Sequence, residues 1–299
     1  MKKHLFLLLS IAIVLTVTSC NEKNEPSAEG NNSGTEQGGT SGGSSVQVPT
    51  GAISGQFSVS SGKKVFFSFG NLQYQASTNL WRFALHQYDT VGVDNRHIAD
   101  DYSGWIDLFG WGTGSNPTST STNEYDYATF TNWGINTISN GNDNASNWRT
   151  LSKDEWAYLF YSRTNAAILF GLGKVCGVNG VIILPDNWTG TKFTDTQNGL
   201  ADQGSYYYNS NGTNYTFHSY DSNAWDAMEN EGAVFLPAAG YRFGMDDIRD
   251  VGSCGYYWSE TSQRTAYSYL LFFNEYNLNP MKDVPRYYGR SVRLVQDVK

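Results

Sequence analysis

An α+β fold of twisted antiparallel strands, few short helices and long ordered loops is what this sequence predicts, on three observations. Short segments with alternating apolar residues recur from Val65 to Val298. One stretch alone, LSKDEWAYLFYSR, carries clear helix-start signals. Between these segments lie runs rich in Gly, Asn, Ser and Tyr, which suit turns and loops, in a chain with 31 Gly, 20 Tyr, 16 Phe and 9 Trp.

The first element is a leader. Lys2 and Lys3 precede an apolar run from Leu5 to Val17, shorter than the roughly 20 residues that span a bilayer. Residues 1–19 therefore read as a signal peptide. Val17, Thr18 and Ser19 ahead of Cys20 resemble the lipobox of bacterial lipoprotein precursors, and the resemblance implies that Cys20 becomes the lipidated, palmitate-bearing first residue. Residues 20–50 are dominated by Gly, Ser, Asn and Glu and bury too little apolar surface to offset the entropy of ordering, so they read as a tether. Its flank Asn21-Glu22-Lys23-Asn24-Glu25 is similar to the signal that sends Bacteroidetes lipoproteins to the outer face of the outer membrane.

Residues 51–299 are enough for one large domain with its own core. VFFSFGNLQY from Val65 and LWRFALHQYD from Leu80 alternate as strands, and the short polar QASTN between them makes a hairpin. Residues 104–134 form a Gly-rich loop carrying Trp105, Phe109, Trp111 and Trp133. These rings either plug the loop into the domain or, for Trp111 and Trp133, stack on sugars. In the helix, Ser152 and Glu155 form a capping box, Leu151 and Trp156 a hydrophobic staple, and Trp156, Leu159 and Phe160 a core face. GVIILPDNW from Gly180 and AVFLPAAGYR from Ala233 each read as a strand stopped by proline. The tyrosine-rich stretch from Thr191 to Ser222 crosses the surface. AYSYLLFFNEY and GRSVRLVQDV supply two last strands.

In AYSYLLFFNEY the period puts Tyr267, Tyr269, Leu271 and Phe273 on one face, toward the core, and Ser268, Leu270, Phe272 and Asn274 on the other. Past Phe273, NEYNLNPMKDVPRYY reads as a polar, ring-bearing loop with Asn274, Tyr276, Asn277, Asn279, Arg286 and Tyr287 as candidate ligand-binding residues. Tyr and Asn give contact area and hydrogen bonds at low entropic cost, the chemistry of recognition surfaces.

Four segments, in order, carry a family resemblance: RTLSKDEW (Arg149, Leu151, Ser152, Glu155, Trp156), FLPAAGYR (Phe235 to Arg242), GYYWSET (Gly255 to Thr261) and YGRSVRLV (Tyr288 to Val295). They resemble the C-type-lectin-like fold in its formylglycine-generating-enzyme-like branch, with its Bacteroidetes and Fibrobacter surface lipoproteins. The resemblance implies that the N- and C-terminal strands pair and that late loops share an exposed face. In this fold that late segment is also the one diversity-generating retroelements rewrite in variable surface proteins.

Chemistry argues against catalysis. The copper-binding cysteines of the formylglycine-generating enzymes are missing, since the late segment reads RYYGRSVR. The histidine cluster of the related sulfoxide synthases is missing too, with only His86, His97 and His218 beyond the leader. No P-loop or zinc spacing is present, and the domain at residues 51–299 has no GxSxG, the string at Gly39-Thr40-Ser41-Gly42-Gly43 falling in the tether, away from any strand-to-helix turn. Asp100-Asp101 and Asp246-Asp247 could serve glycoside hydrolysis, and Asp94-Asn95 or Asp246-Asp247 calcium, but such residues in polar turns are more often solvated. No enzyme activity, cofactor or metal is expected. Cys176 and Cys254 permit one disulfide in an export compartment, though sequence does not show that they meet. Asp89-Thr90-Val91 is similar to the O-glycosylation site of Bacteroidetes, with Thr90 the acceptor.

The formal charge is −8, and −10 once the leader with Lys2 and Lys3 is removed. A field of that sign disfavours nucleic acid as a partner. The expected protein is thus a lipoprotein displayed on the cell surface, anchored to the membrane by lipid and binding a glycan or a surface protein through late loops. The alternative is a structural or adhesive subunit of a surface or pilus assembly.

Overall fold

The computed structural model describes residues 46–141, 147–193, 207–208 and 215–299, with Tyr207 and Tyr208 described by backbone alone. Cys20, the leader and most of the tether lie outside the described residues, as does much of the tyrosine-rich crossing.

The fold is mixed α+β, with mostly antiparallel strands in several small sheets. Hairpins open it: β1 (Phe57–Ser60) with β2 (Lys63–Phe67), then β3 (Leu72–Gln75) with β4 (Leu80–Phe83). A long loop leads to α1 (Lys153–Ala157) and a π-helical turn, Tyr158–Ser162. Next come β5 (Phe170–Val175), β6 (Val178–Ile183), the short β7 (Tyr207–Tyr208) and β8 (Ser219–Tyr220), and α2 (Ser222–Asn230). The C-terminal part holds β9 (Val234–Pro237), β10 (Tyr241–Phe243), β11 (Asp247–Arg249) and β12 (Cys254–Arg264). β13 (Tyr267–Asn274), β14 (Asn277–Pro285) and β15 (Val295–Asp297) complete it.

The two ends of the domain meet. β15 pairs antiparallel with β2, Val295 opposite Phe67 and Asp297 opposite Val65, in a sheet ordered β1-β2-β15. Phe57, Val65, Phe67 and Val295 are fully buried there. Helix α1 is tied to this closure by charge. The Glu155 carboxylate accepts from Arg149 Nη1 (2.7 Å) and Nη2 (2.8 Å) and from Lys63 Nζ (3.0 Å), while Arg149 Nη2 also donates to Asp297 (2.6 Å). The capping box forms as the sequence predicts: Glu155 N donates to Ser152 Oγ (3.2 Å) and Ser152 N to Glu155 Oε2 (2.9 Å).

Three apolar clusters share the interior. Trp156, Leu159 and Phe160 of the helical segment pack with Phe57, Phe67 and the inner faces of β5, β6 and β9. Trp81, Phe83, Trp111, Trp133, Trp148 and Trp258 form the second cluster. Trp225 of α2 joins Ile182, Leu184 and Phe235 in the third. The second half of β6 is apolar without a break because it is buried on both faces: Val181 and Ile183 face the first cluster, Ile182 the third.

Several expectations are corrected. The segment from Val65 to Tyr74 is two strands, because the chain crosses between sheets at residues 68–71, where Gly70 lies too close to the Ala84 carbonyl for any Cβ. Trp111 and Trp133 are 3% and 0% exposed, so they anchor the loop and do not stack on sugars. GRSVRLVQDV pairs with β2 only at residues 295–297. Its earlier residues bond in turn to Phe109, Tyr256, Leu72 and Ser68, a spine across several sheets. Helix α2, capped by Asp221 Oδ1 accepting from Ala224 N (2.9 Å), went unread because its polar composition hides one buried ring, Trp225. Cys176 lies in the β5–β6 turn at φ +48 and Cys254 begins β12 in another sheet, so no disulfide joins them.

Candidate functional site

The sheet β12-β13-β14-β7 sets the geometry of the late segment. NEYNLNPMKDVPRYY is not a loop but the turn and second strand of a hairpin, with Asn274 opposite Asn277 and Phe272 opposite Asn279. Its apolar beat is sparse because Leu278, Pro280 and Val284 alone are buried along β14.

Cross-strand partners share a face. One face carries Tyr257, Leu271, Phe273 and Leu278 into the first cluster. The other begins with Trp258 and Leu270 in the second cluster and then runs past its edge. At that edge stand two rows, Tyr256-Phe272-Asn279, whose rings pack against the cluster, and Cys254-Asn274-Asn277, all half-buried. Gly255 lies between the rows because the Phe273 ring crosses β12 there and leaves no room for a Cβ.

A second group of rings adjoins this face. Arg242 and Gly289 exchange backbone hydrogen bonds of 2.9 Å each, which sets Tyr287 and Tyr288 beside β10. In β10 the buried Arg242 separates the half-buried Tyr241 and Phe243. Rings then follow one another from Phe243 to Tyr288 (5.2 Å between centroids), Tyr241 (5.6 Å), Tyr256 (5.3 Å) and Phe272 (5.1 Å). Tyr287 branches from Tyr288 at 4.7 Å. A groove of about 470 Å³, lined by Arg96, Ile98, Phe243, Met245, Asp246 and Asp247, adjoins one end of the strip. A cleft of about 190 Å³, lined by Asn179, Tyr215, Cys254, Asn274 and Tyr276, adjoins the other.

Five of the six residues singled out in the sequence lie on or beside this surface. Asn274, Asn277 and Asn279 occupy the two rows, Tyr276 is 48% exposed at the hairpin tip, and Tyr287 flanks the strip. Asn274 Oδ1 accepts from Tyr276 N (3.0 Å) and Asn279 Oδ1 from Met281 N (2.9 Å), so both amides are oriented by the backbone. Arg286 does not belong. It is 4% exposed, donates to the carbonyls of Tyr267 (3.1 Å), Tyr127 (3.1 Å) and Arg264 (2.9 Å), and lies 4.3 Å from the Trp111 ring centroid. A guanidinium with five donors in a planar fork suits such convergent carbonyls, so its role is to hold the fold. Tyr241, Phe243, Tyr256, Phe272 and Tyr288 were missed as a site. The signal was the ring density of GYR, GYY and RYY, but these segments are far apart in the chain.

Burial raises the Tyr256 phenol well above its usual range and moves Tyr287 up to about 12, so both are neutral donors at physiological pH. The acids named as catalytic candidates are engaged singly: Asp100 accepts from Thr118 and Asp247 from Arg249. Asn95 is fully buried and clamps Asp107, donating to its Oδ1 at 2.7 Å. No three His, Cys, Asp or Glu side chains converge among the described residues. Thr90 is half-buried just before a helical turn at Gly92–Arg96.

The fold and surface define an α+β protein of small antiparallel sheets with a half-exposed aromatic and amide face. Comparison with family models, with curated proteins and with solved structures finds no match to the chain.

Proposed function

We propose that this protein is a surface-displayed lipoprotein that binds a glycan on the aromatic and amide face, and that its domain is C-type-lectin-like. The pairing of β2 with β15 and the order of the four motif segments support that fold. The Cys20 lipobox and the composition of the tether support lipid display.

One observation carries the binding role: a row of touching rings stays half-exposed where the sheet runs past its core, with oriented Asn amides beside it. Sugars offer C–H faces to rings and hydroxyls to amides, and such a surface meets both needs without a metal or a catalytic group. The lipidated protein in detergent, applied to a glycan array, is expected to bind a restricted set of sugars. Tyr241→Ala and Phe272→Ala each weaken binding about tenfold, the loss of one ring contact of 1–2 kcal/mol. Polymerisation with no sugar bound favours the structural subunit instead. Turnover abolished by Asp246→Asn favours a hydrolase. Labelling with palmitate, lost in Cys20→Ser, tests the anchor.

A further inference from the structure

We propose that Arg290 is the positioning residue of this face, and that the face it shapes takes a neutral sugar chain. Both statements rest on the glycan reading above. Arg290 is 2% exposed, and its guanidinium carbon lies 4.0 Å from the Tyr256 ring centroid, 4.1 Å from Tyr241 and 5.0 Å from Tyr288. These are three successive members of the ring strip. Nε and Nη1 are sealed from solvent and meet no hydrogen-bond acceptor. A buried cation so placed draws its stabilisation from the ring faces, and each ring is held in turn by the cation.

The backbone of Arg290 is fixed by reciprocal 2.8 Å bonds with Phe109, so the guanidinium is a post, not a mobile arm. The far end of Tyr256 is fixed as well, its hydroxyl donating to Asp250 Oδ2 at 2.8 Å. Rings locked at both ends lose little freedom when a ligand arrives, which is how preorganisation raises affinity.

The class of ligand follows from charge. With Arg290 only 2% exposed, an anion bound on the surface does not reach its guanidinium. The rim carries Asp246, Asp250 and Glu275 against the single charge of Arg96, while Asp247 and Arg249 neutralise each other, so its balance is acidic. An acidic chain is therefore repelled. A cationic ligand on the outer ring faces meets the like charge of Arg290 across rings whose π density that cation already polarises. A neutral chain stacks and hydrogen-bonds without either conflict, and a strip of five rings between two clefts suits several sugar units.

The experiment uses the full lipidated chain in detergent, titrated with neutral hexasaccharides of glucose, mannose and galactose and with dextran sulfate. Wild type, Arg290→Met, Arg290→Lys and Tyr241→Ala are compared, and near-ultraviolet circular dichroism reports the order of the tyrosines. Arg290→Met, which keeps the apolar stem, is expected to weaken the neutral chain about tenfold and to flatten the tyrosine bands, with Arg290→Lys partly restoring both. If Tyr241→Ala abolishes sugar binding while Arg290→Met leaves affinity and dichroism unchanged, the positioning role fails and the glycan reading survives. Preference for dextran sulfate overturns the neutral class. Failure of every sugar to bind wild type overturns the glycan reading and the ligand class with it, and unchanged tyrosine bands in Arg290→Met then remove the positioning role too.

Discussion

Arg286 and Asp107 show how far a residue's type underdetermines its role. In the sequence Arg286 is a cation amid Asn and Tyr. In the fold it bonds to carbonyls from two separate segments, the β12–β13 turn and Tyr127, and removing it strands those acceptors. Arg286→Met is expected to cost about 3 kcal/mol in urea unfolding while leaving ligand affinity of the folded protein unchanged. Wild-type stability would show that the contacts are dispensable. Asp107 is fully buried, and burial raises its pKa from 3.8 to about 6, against the lowering effect of bonds from Val91 N and Asn95 Nδ2. A raised acid pKa means that the folded state holds its proton more tightly than the unfolded chain. Its contribution is fully present below the unfolded pKa and is lost as pH rises through the folded value. Relative to Asp107→Asn, wild-type stability should therefore fall by roughly 3 kcal/mol between about pH 4 and pH 7. Parallel pH profiles of the two proteins would contradict this.

Among the elements, α1 was legible and β14 was not. The helix announces itself locally: Ser152, Glu155, Leu151 and Trp156 are near in sequence, and the capping box needs no distant partner. Ser152→Ala is expected to lower stability by about 1 kcal/mol, measured by the urea midpoint. Glu155 sharpens the test. Burial raises its pKa, but bonds from Arg149, Ser152 and Lys63 outweigh that and hold it below the usual value. Its contribution is thus present above the unfolded pKa and lost as pH falls through the folded one, opposite in sign to Asp107. Strand β14 has no such local signature. It is a strand because β13 presents a free edge of the right length, and its Asn and Lys side chains stand on the face that leaves the core.

The whole molecule depends on closure by the C-terminal strand. Val295–Asp297 satisfies the edge of β2, and the preceding residues bond to Phe109, Tyr256, Leu72 and Ser68 in succession. Truncation after Leu294 removes the strand and the Asp297 partner of Arg149, and is expected to abolish cooperative unfolding as followed by circular dichroism in urea. A truncated chain with the wild-type midpoint would show that the pairing is peripheral. The pairing of the ends was expected only from the family resemblance, whereas the hairpin β3–β4 and the plugging of the loop at residues 104–134 by Phe109 were readable, because each rests on apolar period or ring burial. The ring strip was not, since Phe243, Tyr256, Phe272 and Tyr288 come from four segments that alternation alone cannot register against one another.

The chain by itself determined the α+β class, the capped helix and the acidic charge, because these follow from residue types within a few positions of one another. Tertiary structure alone decided that Arg286 is buried while Tyr276 is not, that Trp111 and Trp133 are anchors, and that five rings form one strip with three of them on Arg290. The physical reason is that exposure and ring contact are set by which strands pair and where a sheet runs past its core, and those are properties of distant segments taken together.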